Sequence, residues 1–229
     1  RIDETSSRQQ SSRWRFPDLV ATAAALFLAM GIGWPLWQSI QKSRLQDTSS
    51  ARLNSIGTAI AGFAGDNAGM MPLDHSLLGN DFDPVSQPHS HHLTNTLPKG
   101  DYLPRGHFFL IEAPETDAPA CFSYRVPKAD HTSFRLLLMH SVDSKTPVAG
   151  DRNPILWRIR KGENGQIRPL EGSPTHAGNG QVILQADGAT RWEAVPMYGT
   201  DPIWNTQGCP SAQIPICKPT HDQDILLAD

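Results

Sequence analysis

The stretch LVATAAALFLAMGIGWPLW, residues Leu19 to Trp37, decides how this chain is organised. None of its residues is charged. At about 1.5 Å per residue, a helix of this length is about 28 Å long, close to the roughly 30 Å hydrocarbon core of a bilayer. The stretch therefore predicts a helix that crosses a membrane and anchors the chain in it.

A cleaved signal peptide and a buried core helix both fit the apolar stretch less well. A signal peptide has a shorter apolar part followed by a small-residue cleavage site, whereas here Lys42 and Arg44 follow in continuing helical sequence. Against a buried helix of a soluble protein, Gly31, Gly33 and Pro35 lie close together, which suits a helix in lipid better. We therefore expect a single-pass protein of the cell membrane.

The composition disfavours some functions. With 20 basic and 23 acidic residues and a formal charge of -3, the chain offers no broad basic field for nucleic acid or anionic lipid. We expect no nucleic-acid partner, and as partners we expect membrane lipid and unidentified proteins. The roughly 190 residues after the apolar stretch suffice for one domain with its own core. The 19 prolines and 18 glycines of the whole chain indicate many loops, as in extracytoplasmic domains.

Flanking charges suggest an orientation for the anchor. Four arginines precede the apolar stretch and three basic residues follow it: Arg1, Arg8, Arg13 and Arg15, then Lys42, Arg44 and Arg52. The positive-inside rule leans slightly towards a cytoplasmic N-terminus and an extracytoplasmic domain. Because the sequence begins at Arg1 rather than Met, residues upstream of it are left open.

The cysteines are compatible with an oxidising compartment. Cys209 and Cys217 lie eight residues apart in a proline-rich tail and would close a small disulfide loop, which leaves Cys121 over. Three reduced, buried thiols are the alternative.

The helical pattern continues well past the apolar stretch. Pro17 and Asp18 suit a helix N-terminus. Beyond the membrane, apolar residues recur every three or four positions, at Leu53, Ile56, Ile60 and Phe63. We therefore predict a disordered or linking arm over 1–16, a transmembrane and spine helix over 17–66, and an extracytoplasmic headpiece over 67–229.

For the headpiece, the sequence predicts an α+β fold, in which the long helix packs on a small antiparallel sheet. Its clearest signal is a β-hairpin made of Gln181 to Ala186, a two-residue Asp187-Gly188 turn and Ala189 to Val195. Further strands are predicted at Phe122 to Val126 and at Ile155 to Arg160, with a strand or short helix at Ser133 to His140. We expect loops over Met70 to Pro119, with short strands near His107 to Glu112, and over the tail from Met197 to Asp229.

Three stretches, in this order along the chain, resemble one family. They are RLNSIGTAIAGFAGDNAGMMP (Arg52 to Pro72), GDRNP (Gly150 to Pro154) and HAGNGQVILQADG (His176 to Gly188). They are similar to the post-membrane helix, the D-R-N-P motif and the H-x(9)-D-G signature, here with one extra residue, of pilin-like proteins related to the type II secretion pseudopilins and abundant in planctomycetes. The order of the three matches adds specificity that a bare Asp-Gly turn lacks.

The resemblance implies a long helix on a small antiparallel sheet, and a structural or interaction role rather than an enzymatic one. Pilin precursors also carry a Gly-Phe cleavage site and a glutamate five residues into the mature chain, and the corresponding stretch from Arg15 to Val20 lacks the glycine and the glutamate. We therefore expect a permanently anchored protein rather than a processed filament subunit. An alternative is the transmembrane sensor half of an anti-sigma-type regulator whose cytoplasmic module precedes Arg1.

A histidine run is the strongest metal candidate. His89, His91 and His92, with His75 and His107 nearby, offer imidazole ligands for zinc or copper, and a metal-binding enzyme that uses the His89–His92 loop is a competing hypothesis. Since no C-x-x-C or H-E-x-x-H pattern accompanies the run, we expect a solvated loop.

Oxygen ligands for calcium also cluster along the chain, at Asp66, Asn67, Asp74, Asp81 and Asp83. Their spacing does not match a twelve-residue calcium loop. We expect these side chains to cap the helix end and to support turns.

Ser173, His176, Asp151 and Asp187 are the residue types of an acid–base set with a nucleophile. No G-x-S-x-G elbow surrounds Ser173, and no oxyanion hole is indicated. We therefore predict no catalytic, cofactor-binding or metal-binding residues. Instead, His176 and Asp151 should fix the entry to the hairpin by hydrogen bonding, and the turn should require Gly188.

Overall fold

The structure, a computed structural model, describes residues 16–74, 90–108, 122–125, 143–162, 170–204 and 226–228. These contain helices α1 (Phe16–Asp66), α2 (His91–Lys99) and α3 (Pro154–Arg160), and strands β1 (Phe122–Arg125), β2 (Pro147–Asp151), β3 (Gln181–Gln185), β4 (Thr190–Glu193), β5 (Met197–Tyr198), β6 (Asp201–Pro202) and β7 (Leu227–Ala228). Short 3-10 helices cover Arg105–Phe108 and Pro174–His176. The chain divides into two compact units, Arg1–Ser43 and Arg44–Asp229.

Helix α1 is 51 residues long, and its predicted boundaries are confirmed to within one residue. A left-handed turn ends it, because Ala68 and Gly69 have φ angles of 53° and 77°. The Gly69 N–H donates to the Ala64 carbonyl oxygen over 2.7 Å, and the Asn67 side-chain amide donates to the Phe63 carbonyl oxygen over 2.8 Å. These bonds satisfy carbonyl groups that a helix end leaves over.

The N-terminal part of α1 presents the predicted apolar surface. Its most apolar window has no buried residue, and Phe27 and Trp34 expose 72% and 65% of their surface. By length and composition, α1 is a candidate membrane anchor, and an N-terminal signal sequence meets the same two criteria.

The second unit contains the predicted antiparallel sheet. Among the described residues, five strands pair in the order β4-β3-β2-β1-β7, and every pairing is antiparallel. Strand β1 lies between β2 and β7, since Tyr124 is opposite Ala149 of β2 and Ala228 of β7. Strands β5 and β6 form a separate two-stranded ribbon. A long helix and a small antiparallel sheet agree with the predicted α+β class.

The predicted hairpin is present, but its turn is longer than expected. Leu184 pairs with Thr190, and the Gln185 N–H donates to the Ala189 carbonyl oxygen over 2.8 Å, so three residues rather than two form the loop. Only Gly188 of these has a positive φ (83°), as in a turn closed by a left-handed residue. The predicted need for glycine at this position is confirmed.

Each face of the sheet carries its own apolar core, because alternate residues of a strand point to opposite faces. Val182 and Leu184 of β3 belong to one core, together with α1, and Ile183 belongs to the other. The α1 residues in the first core are Leu53, Ile56, Ala59 and Ile60. Glycine at position 57 lets α1 lie close to β3, since a β-carbon there would come within 2.8 Å of Leu184 Cδ1.

The predicted strand at Ile155 to Arg160 is wrong, because these residues belong to helix α3. The Asn153 side chain caps this helix by accepting from the Ile155 and Leu156 N–H groups over 2.9 and 3.2 Å. Pro154 occupies the first helical turn, where its missing N–H costs nothing. An N-cap followed by proline was the local signal that the alternation of apolar and basic residues obscured.

The two loop predictions also need correction. Helix α2 lies inside the segment from Met70 to Pro119, and His107 and Phe108 lie in a 3-10 helix rather than a strand. In the tail, β5 and β6 pair with each other and β7 joins the main sheet. The segment from Ser133 to His140 and the three cysteines, Cys121, Cys209 and Cys217, lie outside the described residues.

We expect Ile60→Asp to destabilise the second unit strongly, since Ile60 is 2% exposed and an unpaired charge would be buried there. The free energy of unfolding should fall by about 3–5 kcal/mol, or roughly 10 °C in melting temperature. Thermal unfolding of the full chain in detergent, followed by circular dichroism, measures this. Ala61→Asp, at the exposed neighbouring position, is the control and should cost less than about 1 kcal/mol. Equal losses in both variants would show that α1 does not dock as described.

Candidate functional site

A buried carboxylate joins the elements around the start of the hairpin. Asp151, the last residue of β2, has no exposed surface. Its Oδ1 accepts from the Ser49 hydroxyl of α1 over 2.7 Å. Its Oδ2 lies 2.8 Å from His176 Nε2 and accepts from the Val182 N–H of β3 over 2.6 Å. Asp151 thus ties α1, the loop that carries His176, and the hairpin to one point.

A compact loop from Gly172 to Gly180 presents His176. Ser173 donates its hydroxyl to the Arg152 carbonyl oxygen over 2.8 Å, and its N–H donates to the Gly180 carbonyl oxygen over 3.0 Å. The backbone atoms of Gly180 lie so near Gly172 that no β-carbon fits at Gly172. The His176 ring packs edge-to-face on Trp192 of β4, with centroids 5.0 Å apart and an interplanar angle of 87°.

Asn153 connects elements on the face of the sheet that does not pack against α1. Besides capping α3, its side-chain amide donates to the carbonyl oxygens of Trp204 and Leu227 over 3.1 and 2.7 Å. The GDRNP stretch therefore contains two buried junctions. Asp151 connects α1 to the hairpin, and Asn153 connects α3 to Trp204 and to β7. Sequence reasoning missed Ser49 and Asn153. The proline after Asn153 was a usable signal, whereas nothing near Ser49 distinguished it from other helical serines.

The candidate acid–base residues do not assemble as a nucleophile with its base. The Ser173 hydroxyl donates to a backbone carbonyl group rather than to His176, and Asp187 lies in the exposed turn, where it accepts from the Ala189 N–H over 2.9 Å. The serine next to Asp151 is Ser49, which binds the carboxylate. The expectation that His176 and Asp151 fix the hairpin entry by hydrogen bonding is confirmed.

The histidine run begins a helix instead of lying in a loop. His91 and His92 form the first turn of α2, and His92 is buried with Nδ1 accepting from the Asp74 N–H over 2.9 Å. Burial and the nearby cations Arg160 and Arg105 lower the pKa of His91. Within the described ranges, no three His, Cys, Asp or Glu side chains converge as metal ligands. His75 and His89 lie outside those ranges.

The candidate calcium ligands that the structure describes make hydrogen bonds within the protein. Asp66 accepts from the Tyr102 hydroxyl over 2.8 Å, and this bond raises the pKa of Tyr102. Asn67 caps α1, and Asp74 accepts from the Asn95 side-chain amide over 3.0 Å. Asp81 and Asp83 lie outside the described residues. The predicted capping contact is present at Asn67, whereas Asp66 and Asp74 bond side chains far along the chain, those of Tyr102 and Asn95.

Comparison with known proteins found no matching family, no matching curated protein and no matching solved structure.

Ser49→Ala should destabilise the second unit by about 1–3 kcal/mol, because it leaves a buried carboxylate oxygen without this donor. Ser55→Ala is the matched control in the same helix: Ser55 bonds the Ala51 carbonyl oxygen at an exposed position, and its loss should cost within about 0.5 kcal/mol. Thermal unfolding of both variants in detergent measures the difference. Indistinguishable melting temperatures would contradict the role given to Ser49.

Gly172→Ala should destabilise the fold by about 3 kcal/mol or more, since the new β-carbon would overlap the Gly180 backbone. A control is Gly65→Ala near the end of α1, where a β-carbon meets nothing within 4 Å. That change should be neutral or stabilising by up to about 1 kcal/mol. Opposite shifts in melting temperature are therefore expected, and a stable Gly172→Ala variant would refute the close approach.

Proposed function

We propose that this chain is a single-pass, membrane-anchored, pilin-like protein whose extracytoplasmic headpiece acts by structural interaction rather than by catalysis. One observation carries the proposal. Within α1, the residues from Val20 to Ile40 expose large apolar side chains, whereas Leu53, Ile56 and Ile60 are at most 2% exposed in the core of the second unit. The exposed apolar surface from Val20 to Ile40 is stable in lipid but costly in water.

The contacts of the motif residues support a role other than catalysis. Asp151, Asn153 and His176 are three polar residues of the resembling motifs, and all three are buried and bonded to neighbouring elements. Groups without solvent access cannot meet a substrate. Their role is then to hold the fold together.

The pilin-like part of the proposal rests on architecture and on motif order. A long N-terminal helix that lies against an antiparallel sheet is what the resemblance implies, and the helix, the GDRNP stretch and the hairpin follow in the order of the resembling motifs. The missing glycine and glutamate between Arg15 and Val20 favour a permanent anchor over a processed filament subunit.

Membrane fractionation of cells that express the full chain tests the anchor. The protein should stay in the membrane pellet after an alkaline carbonate wash, and its mass should show that residues 19–37 are retained. Release by carbonate, or a chain cleaved near Trp37, would overturn the proposal. A reporter fused after Asp229 then gives the orientation, with alkaline phosphatase active and a cytoplasmic fluorescent protein dark if the headpiece is extracytoplasmic.

The double variant Phe27→Arg with Leu28→Arg should lose membrane retention, because two charges at mid-helix cost about 5–7 kcal/mol on insertion scales. Leu170→Arg with Val195→Arg is the matched control, since these positions in the second unit are 57% and 48% exposed. It adds the same two charges and should leave retention unchanged. Retention of the first variant would argue against insertion of this segment.

A further inference from the structure

Strand β4 forms one edge of the main sheet. Among the described strands it pairs with β3 alone, and its four residues, Thr190–Glu193, pair in register without a bulge. None of the four is proline. An edge strand readily accepts another strand unless a proline, a bulge or repelling charges prevent it. The charges on β4 therefore decide which strand this edge accepts.

The hydrogen bonds of the hairpin show which backbone groups of β4 face outward. The Gln185 N–H donates to the Ala189 carbonyl oxygen over 2.8 Å, and bonded pairs alternate with non-bonded pairs in an antiparallel ladder. Arg191 and Glu193, two and four residues after Ala189, therefore bond to β3. The N–H and C=O groups of Trp192, which lies between them, point away from β3 and meet no other strand among those described.

Opposite charges flank Trp192. Arg191 and Glu193 point to the same face of β4, with Nε and Oε1 2.9 Å apart, and their side chains are 59% and 30% exposed. When two copies of β4 pair antiparallel about a two-fold axis at Trp192, Arg191 of each copy lies directly opposite Glu193 of the other. The β-carbons at such positions are about 4.5–5.5 Å apart, and opposite charges there stabilise the pairing. Each carboxylate is then flanked by two guanidinium groups.

Other registers of this pairing bring like charges together. Because outward-facing groups must meet outward-facing groups, the register can change only in steps of two residues. A step in one direction sets Arg191 opposite Arg191 of the other copy, and a step in the other direction sets Glu193 opposite Glu193. Like charges directly opposite each other destabilise a pair of strands. The order of the charges thus favours a single register.

The other face of β4 offers an apolar contact. Trp192 is partly exposed, and its ring packs edge-to-face on His176, which Asp151 holds at 2.8 Å. In the register just described, the two tryptophans lie directly opposite each other, and aromatic pairs across strands are stabilising. Charge pairs on one face and an indole pair on the other therefore favour the same register.

We propose that β4 pairs with β4 of a second copy of this chain about a two-fold axis at Trp192, so that the two five-stranded sheets become continuous in a homodimer. A second copy fits this edge better than an unrelated extended segment, because the order arginine, tryptophan, glutamate is complementary to itself. The pairing lies wholly within the second unit, so it goes beyond the proposed function and does not depend on the membrane anchor.

Sedimentation equilibrium of the full chain in density-matched detergent measures the dissociation constant of the dimer. The wild-type chain should show a monomer–dimer equilibrium. R191E and E193R should each raise the dissociation constant at least about tenfold, because two attractive pairs become repulsive. K145E makes the same charge change as R191E at another exposed position and should leave the constant within about twofold. A wild-type chain that stays monomeric, or equal constants for all three variants, would overturn the proposal.

An equal mixture of R191E and E193R tests the pairing between chains directly. In the mixed dimer, positions 191 and 193 of different chains again carry opposite charges, so the dissociation constant should return to within about threefold of the wild type. Both chains of the mixture still lack their internal ion pair, so repair of that pair cannot explain the recovery. A mixture that stays monomeric would overturn the pairing of Arg191 with Glu193.

Hydrogen exchange separates this pairing from association elsewhere. Concentrating the wild-type chain into its dimeric range should slow exchange of the Trp192 amide at least about fivefold, whereas the amides of Arg191 and Glu193 already bond to β3 and should change little. Melting curves check that each variant folds. If E193R folds poorly, the double variant R191E/E193R replaces the mixture and should dimerise like the wild type. A dimer that R191E leaves intact, held for example by the apolar part of α1, would overturn the assignment to β4.

Discussion

Burial of an aspartate is costly unless its oxygens receive hydrogen bonds from the protein, and this constraint shapes the second unit. Asp151 has no exposed surface, and its two oxygens are met by the Ser49 hydroxyl, the His176 ring and the Val182 N–H. These partners come from three separate parts of the chain. The carboxylate is satisfied only when α1, the His176 loop and β3 are all in place.

This arrangement favours one placement of the elements that meet at Asp151. A one-residue slip in register would move apolar side chains to the wrong face of the sheet, and it would also break the three short hydrogen bonds to this carboxylate. Glycine at 172 and 180 lets the loop that carries His176 close upon itself. On the other face, Asn153 imposes a similar condition on α3 and β7.

Patterns that repeat along the chain were predictable, and contacts made across it were not. The length of α1 followed from an uncharged stretch joined to a three-and-four periodicity, and the hairpin followed from β-favouring residues around an Asp-Gly turn. Helix α3 was missed because its seven residues are too short for periodicity to outweigh apolar–basic alternation. The sequence around Ser49 does not indicate its role, since that role depends on Asp151, 102 residues away.

Strand β7 lies at the edge of the sheet, although it comes last among the described elements. Arg125 of β1 pairs with Leu227, 102 residues further along the chain. Contacts between such distant residues form slowly, because a long loop must close before any bond compensates for its entropy. During synthesis, therefore, one side of β1 stays open until Leu227 and Ala228 have emerged from the ribosome. The sheet gains β7 only after β1, β2, β3 and β4 have all been made.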